Sequence, residues 1–246
     1  MKIALLGYGK MGKEIEKIAR DRGHKIVLTI DQPEEWKIGL HDLKRADIAI
    51  DFSTPFSVID NIRNCFDAGV PIVVGTTGWH EQVEEIRNEC ITLGRSFFWA
   101  PNFSIGVNIF FELNRKLASL MSSWPDYEIS MEETHHVQKL DAPSGTAIVL
   151  ANDIIQHHGR KEKWVKESSN NPGDLGIRSN RIEEVTGTHK VVYDSPEDLI
   201  EILHTAKNRR GFAQGAILAA EWLKGKTGFF EMKDMLDTKY EQKDTK

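Results

Sequence analysis

Lys2-Ile3-Ala4-Leu5-Leu6-Gly7-Tyr8-Gly9-Lys10-Met11-Gly12 decides the fold. An apolar run of strand length, Lys2–Gly7, ends in Gly-x-Gly-x-x-Gly. It passes directly into Met11, Ile15, Ile18 and Ala19, which recur at helical spacing until Gly23 closes the helix. A strand, a glycine turn and a helix in this order aim backbone N–H groups and the positive end of the helix dipole at an anion. The first glycine makes the tight turn, the second lets the backbone reach a pyrophosphate, and the third lets helix and strand approach. Asp31 closes a second strand, Lys25–Ile30, about twenty residues on, where an acid hydrogen-bonds ribose hydroxyls. Gly7, Tyr8, Gly9, Lys10, Met11, Gly12 and Asp31 are therefore candidate dinucleotide contacts. The bland alternative is an ordinary tight turn beside a solvated acid.

Outward from this unit the pattern repeats. Asp47–Ser53 reads as a third strand, and Thr54-Pro55 as a capped helix start, with Gly69 ending that helix. Pro71–Thr77 is a fourth strand, Trp79–Leu93 an acidic helix and Ser96–Asn102 a fifth strand. Repeated strand–helix units predict an α/β fold with a parallel, doubly wound sheet. Such sheets bind ligands at the carboxyl ends of their strands. Gly75, Thr76 and Thr77 follow the fourth strand, and Ala100, Pro101, Asn102 and Phe103 the fifth. Small residues there let the backbone approach a nicotinamide ring; plain turns are the alternative. A carboxylate at Asp31 repels the extra phosphate of NADPH, whereas positive charge at Lys10 or Lys37 works against that preference. NADH and NADPH both stay open.

The pattern changes after Asn102. Ile105–Met121 reads as a long helix, Asp126–Thr134 as a half-buried strand, and Ser144 to His158 as another helix. Glu162–Gly176 reads as a polar, mobile loop. Ile177–Val185 and Thr188–Tyr193, joined at Thr186-Gly187, read as antiparallel strands, with Leu199–Ala206 a third. Gly211–Lys224 is a small-residue helix closed by Gly225; a lone terminal helix must dock somewhere, and it is expected to return to the first domain. The expected division is 1–104 with 212–246 as the dinucleotide-binding domain, and 105–211 as the substrate-binding and oligomerisation domain.

Composition narrows the function. A net charge of −5 with no basic run argues against a nucleic-acid partner. No apolar stretch approaches the ~20 residues of a membrane span, and the apolar part of the N-terminus is too short for a signal peptide. Cys65 and Cys90 make no metal or redox pattern; each reads as a small core residue on a helix. These features predict a reduced, cytoplasmic protein.

Glu133-Thr134-His135-His136-Val137-Gln138-Lys139-Leu140-Asp141-Ala142-Pro143-Ser144-Gly145-Thr146-Ala147 carries the chemistry. Two imidazoles and an ammonium stand at a strand end, just before a helix start. Clustered donors of this kind suit an anionic substrate, and the N–H groups of Gly145 and Thr146 form a carboxylate site. Histidine titrates near neutrality and lysine can be tuned down, so either can deliver a proton opposite a hydride. A zinc site is a poor rival, because adjacent histidines on a strand point to opposite faces and no cysteine lies near. A polar surface loop is the bland alternative. His157-His158 at a helix end reads as a simple complement to the dipole.

These residues resemble the dihydrodipicolinate reductase family. The resemblance covers nearly the whole chain. It rests on Gly7–Gly12, on Gly75–Gly78, on Ala100–Asn108 and above all on the string from Glu133 to Thr146. Arg210-Gly211-Phe212-Ala213 and Gly225–Phe230 add to it. It implies a Rossmann domain on Gly7–Gly12, Asp31, Gly75–Thr77 and Ala100–Phe103, plus a second α/β domain whose mixed sheet builds a homotetramer. It implies reduction of a small cyclic dicarboxylate of the diaminopimelate route to lysine with NADH or NADPH. His135 and Lys139 would then handle protons, His136 would contact substrate, and Gly145 with Thr146 would bind one carboxylate. The chain departs from the family pattern in a glycine loop one residue short and an abbreviated segment between Asp31 and Asp47. Val137 and Gln138 also stand where basic residues are common. The rivals are another Rossmann reductase acting on a dicarboxylate or amino acid, and a non-catalytic NAD(P) sensor.

Overall fold

Strand β1 (Lys2–Leu6) is buried from Ile3 to Leu6, and successive side chains point to opposite faces of its sheet. Both faces must therefore be covered. The computed structural model describes residues 1–241; the side chains of residues 37, 38 and 238–241 are outside the described set, so the charge expected of Lys37 lies outside it too.

The chain forms two compact units, Met1–Ile105 with the segment from Arg210, and Gly106–Arg209. In the first, β1 is followed by α1 (Lys10–Asp21), β2 (Lys25–Ile30), α2 (Trp36–Leu43), β3 (Ile48–Asp51) and α3 (Val58–Ala68). Then come β4 (Ile72–Val74), α4 (Val83–Thr92) and β5 (Ser96–Trp99). In the second are most of α5 (Ile105–Met121), then β6 (Glu128–His135), α6 (Gly145–His158), β7 (Lys163–Lys166), β8 (Asp174–Arg181), β9 (Gly187–Asp194) and β10 (Leu199–Ala206). The chain returns to the first with α7 (Arg210–Leu223), β11 (Gly228–Phe230) and α8 (Met232–Glu241).

The first sheet runs β11-β5-β4-β3-β1-β2 with every pair parallel. It is the Rossmann-type sheet the glycine motif predicts. Ile3, Leu5, Ile50 and Val73 pack against Ile15 and Ile18 of α1 and against Ala213, Ala216 and Ile217 of α7. Ala4, Leu6, Ile72 and Val74 pack on the other side, against Ile62 and Phe66 of α3 and Ile86 of α4. Cys65 and Cys90 are buried on this side with free thiols. Each fully buried large side chain stabilises the sheet by about 1.5–3 kcal/mol. The small residues of α7 allow close approach: a Cβ on Gly215 would lie 1.7 Å from the Phe103 carbonyl oxygen.

Several boundaries differ from expectation. The helix after Thr54-Pro55 begins only at Val58, because the N–H groups of Ser57 and Val58 both donate to the Thr54 carbonyl and fold residues 54–57 into a turn. The helix expected from Trp79 opens with a single 3-10 turn, His80–Gln82. Helix α2, strand β11 and helix α8 had no strong periodic signal.

The second sheet is mixed, in the order β10-β9-β6-β8-β7. Strand β6 runs parallel to β8 and antiparallel to β9. This corrects one expectation and refines another. The polar segment Glu162–Gly176 is not all loop, since it supplies β7 and the start of β8. The strands flanking Thr186-Gly187 run antiparallel as expected, but they are not hydrogen-bonded to each other, because β6 lies between them. Strand β6 buries Ile129, Met131, Glu133 and His135 on one face, and such a central strand needs a neighbour on each edge to satisfy its backbone. That face packs with Val107, Phe110 and Ala118 of α5 and Leu150, Ala151 and Ile154 of α6.

Candidate active site

The glycine loop has the steric form that a pyrophosphate requires. Gly7 has φ +87°, and a Cβ there would lie 2.3 Å from the Phe52 carbonyl oxygen. A Cβ on Gly12 would lie 2.3 Å from the Gly7 carbonyl oxygen. Gly9 differs: a Cβ there meets nothing within 4 Å, so open space lies over the loop. Gly9 is also the N-cap of α1 and provides no side-chain cap. An uncapped helix N-terminus beside open space fits a phosphate group.

Asp31 is exposed, and its carboxylate accepts the Tyr8 N–H at 2.7 Å, which ties the end of β2 to the glycine loop. Glu35, which the sequence did not single out, accepts the N–H groups of Asp31 and Gln32 at 2.6 and 2.9 Å. Those bonds, from Gln32 first, hold its carboxyl below the usual range. Tyr8 donates its hydroxyl to Glu16. Lys10 and Met11 begin α1.

The two other loops are built from inside. Asp51, fully buried at the end of β3, accepts the Thr76 hydroxyl at 2.6 Å, the Ser53 hydroxyl at 2.8 Å and the Asn61 amide at 2.8 Å. Burial pushes its carboxyl up, against hydrogen bonds that pull it down. The Thr76 hydroxyl is thus engaged inward, while Thr77 is exposed. Gly75 is small for a reason the sequence did not reveal: a Cβ there would meet the Phe52 ring at 2.2 Å. Ala100 is buried and Pro101 exposed; the Asn102 side chain accepts the Ser104 N–H at 2.9 Å. The Phe103 ring is core, packed on Phe98 and Phe52, which leaves only its backbone for a ligand.

In the second unit the histidine string becomes a polar cluster. His135 ends β6, and the strand's alternation puts Glu133 on the same buried face. Cross-strand register then sets His189 of β9 opposite Glu133. Glu133 Oε1 accepts the Ser144 N–H at 3.0 Å and the Ser179 hydroxyl at 2.8 Å, and lies 3.5 Å from Arg181. Glu133 Oε2 lies 3.3 Å from His135 Nδ1 and 3.7 Å from His189 Nε2. Burial pushes the Glu133 carboxyl up, but bonds from His135, Ser144 and Ser179 outweigh it and hold it at about 2. Burial, with His135 nearby, drives His189 down to about 4, so its ring is neutral near pH 7. The two rings meet edge-to-face, 5.0 Å between centroids.

Lys139 donates to both oxygens of Asp141, at 2.7 and 2.9 Å, and is partly exposed. Arg181 pins this loop by donating to the carbonyls of Lys139 and Asp141 at 3.2 and 2.6 Å. His136 is half-buried, and its Nδ1 is enclosed without a hydrogen-bond partner among the described residues. Ser144 caps α6 by accepting the Ala147 N–H at 3.3 Å. Gly145 is exposed with nothing within 4 Å of a Cβ, and Thr146 is half-buried beside it.

The sequence reading quoted Glu133 and Ser144 without assigning either a role, and it did not single out His189 or Arg181. Period-two alternation could have put Glu133 with His135, but His189 and Arg181 depend on strand order. The expectation against a metal rested on the adjacent histidine pair and the lack of a nearby cysteine. Glu133, His135 and His189 bring three potential ligand atoms within 4.8 Å of one another.

Among the described residues no helix is long and apolar enough to cross a membrane. The chain matches the family models described as "Dihydrodipicolinate reductase, N-terminus" over residues 1–103 and "Dihydrodipicolinate reductase, C-terminus" over residues 106–236. It is 49% identical over 238 residues to the 4-hydroxy-tetrahydrodipicolinate reductase of Christiangramia forsetii, covering 96% of this chain and 98% of the relative. It is 30% identical to the enzyme of that name from Acinetobacter baylyi, covering 96% of each. In fold it is similar to a dipicolinate-bound dihydrodipicolinate reductase from Paenisporosarcina sp. TG-14, with TM-score 0.73, 24% identity and 94% and 97% of the two chains covered. With both units matched along their length, the chain belongs to the dihydrodipicolinate reductase family.

Proposed function

We propose that this chain reduces 4-hydroxy-tetrahydrodipicolinate, by way of dihydrodipicolinate, to tetrahydrodipicolinate in the diaminopimelate route to lysine. NADH or NADPH, bound on the glycine loop, supplies the hydride. The observation that carries the reading is the cluster at the end of β6, where His135 and Lys139 stand beside the exposed N-terminus of α6.

The substrate is a small ring with two carboxylates, and the chain offers matched anion sites. The N–H groups of Gly145 and Thr146 receive one carboxylate at the positive end of α6. His136 contacts the ring substituents from the same loop. Lys139 exchanges its Asp141 partner for the substrate, which brings an ammonium proton to the ring. His135, buried at the strand end, is the other group able to exchange that proton. Gly7–Gly12, Asp31, Gly75–Thr77 and Ala100–Phe103 hold the cofactor. Asp31, with Glu35 beside it, places negative charge where NADPH carries its extra phosphate, which favours NADH.

The division of labour assigns cofactor binding to the first unit and substrate binding to the second. We also infer a homotetramer built through the second sheet. Its face away from the core leaves Leu199 and Leu203 more than half exposed. Lys190 bridges Glu132 and Glu201 across it at 3.6 and 3.7 Å. The free, buried Cys65 and Cys90 fit a reducing cytoplasm.

The test is NADH consumption with the precursor generated in situ, NADPH in parallel, and a panel of amino-acid and dicarboxylate substrates. Turnover confined to the precursor supports the reading. NADH binding without turnover on any of them contradicts it and leaves a sensor.

A further inference from the structure

Glu133 is a carboxylate enclosed by the protein, 1% exposed, at a position that does not itself face solvent. Its two oxygens have separate tasks. Oε1 takes the Ser144 N–H and the Ser179 hydroxyl, so it holds the N-cap residue of α6. Oε2 and His135 Nδ1 lie 3.3 Å apart, and neither atom has a hydrogen-bond partner among the described residues. A buried carboxylate oxygen and a buried ring nitrogen left unpaired are each costly, so at this separation each answers the other.

The rest of the ring's surroundings point the same way. His189 packs edge-on against His135 and is tied to the Ser144 hydroxyl at 3.1 Å. Gly187 flanks the opposite edge; a Cβ there would lie 3.0 Å from His135 Nε2. Only glycine keeps that edge uncovered. The charged and titratable groups around the pair are His189 from β9, Arg181 from β8, Lys139 and Asp141 from the following loop, and His204 from β10.

We propose that Glu133 is the positioning residue of this site. Its carboxylate holds His135 through Nδ1 and leaves Nε2 to exchange the proton, and through Ser144 it fixes the helix start that receives the substrate carboxylate. One side chain thereby sets the imidazole and the anion cradle in a single geometry. The inference rests on the reduction proposed above. A carboxylate on the far nitrogen fixes both the orientation and the tautomer of a histidine.

Two measurements test it. In the wild-type protein, nitrogen-15 spectra of labelled histidine, taken where the imidazole is neutral, should show the His135 proton on Nδ1. A proton on Nε2 would overturn the proposal, whatever any variant does. Glu133→Gln keeps an oxygen acceptor and removes the charge. It should lower kcat about ten- to a hundredfold and move the basic limb of the kcat/KM profile to lower pH, by about one unit. NADH affinity, read by fluorescence, should hold. Glu133→Asp, which keeps the charge, should restore the limb. An unmoved limb in Glu133→Gln would overturn the proposal. Full turnover by His135→Ala would instead overturn the role of His135 and leave the Glu133 contact standing.

Discussion

Helices α1 and α6 both offer an N-terminus to an anion, yet they are finished differently. At α1 the N-cap is glycine, no side chain closes the end, and a Cβ on Gly9 would stand in empty space. At α6 the N-cap is Ser144, whose hydroxyl takes the Ala147 N–H and whose own N–H is bound to Glu133. The first end is backbone and space, suited to a pyrophosphate in many different proteins. The second is wired by side chains to the histidine that would move a proton. Binding that is common to a fold can be built from glycines, while chemistry peculiar to one ring needs side chains from several strands.

The largest effect that would sharpen this contrast is on turnover. Lys139→Ala and His135→Ala should each lower kcat by roughly 10²–10⁴, the usual worth of a positioned proton donor. NADH affinity should stay near wild type in both, measured by fluorescence titration. A parallel loss of NADH binding would break the separation of roles.

Next come the glycines. Gly7→Ala forces a side chain into left-handed backbone and against the Phe52 carbonyl, and should destabilise the fold by about 2–4 kcal/mol in urea unfolding. Gly9→Ala meets no atom, so stability should change by less than about 0.5 kcal/mol. Its NADH affinity should nonetheless fall, because the proposed function gives that space to the cofactor. Equal stability losses at Gly7 and Gly9 would contradict the steric account.

His189 gives a pH signature confined to the second unit. Its folded pKa is depressed to about 4, from an ordinary value of 6.5. The neutral ring is the form the fold favours, so this stabilisation is complete above about 6.5 and is lost as pH falls toward 4. Over that window the unfolding free energy should drop by something on the order of 1–3 kcal/mol. His189→Gln should flatten that part of the profile.

The smallest effect concerns cofactor choice. Asp31→Ser removes the charge at the proposed ribose site and should shift the NADH to NADPH ratio of kcat/KM several-fold toward NADPH, a change of roughly 1 kcal/mol. An unchanged ratio would leave Glu35, whose carboxylate sits on the Asp31 N–H, as the residue to alter next.

The same contrast explains what the sequence revealed. The parallel sheet was legible because β1, the glycine turn and α1 are contiguous, and the strand–helix period repeats on both sides of them. The string from His135 to Thr146 was legible because its residues are neighbours in the chain. Glu133 was in view, but its partnership with His189 depends on β6 pairing with β9, fifty-odd residues on, and no local period encodes that register. The strands flanking Thr186-Gly187 run antiparallel as the sequence suggests, but that β6 lies between them is a matter of strand order, which no local pattern encodes. Strand β7 was hidden in a polar stretch with only Trp164 and Val165 half-buried. Gly75 was read as letting its backbone approach a nicotinamide; the Phe52 ring, 2.2 Å from where a Cβ would stand, is a second reason for glycine that no local pattern reveals.

The most direct test of the account is a single-turnover experiment. Enzyme loaded with NADH is mixed with freshly generated precursor, and loss of NADH absorbance is followed for the wild type and for Lys139→Ala. The account predicts a fast decay in the wild type and one slowed by roughly 10²–10⁴ in the variant at equal NADH occupancy. Equal decay rates would show that proton delivery does not depend on Lys139 and would contradict the role given to it.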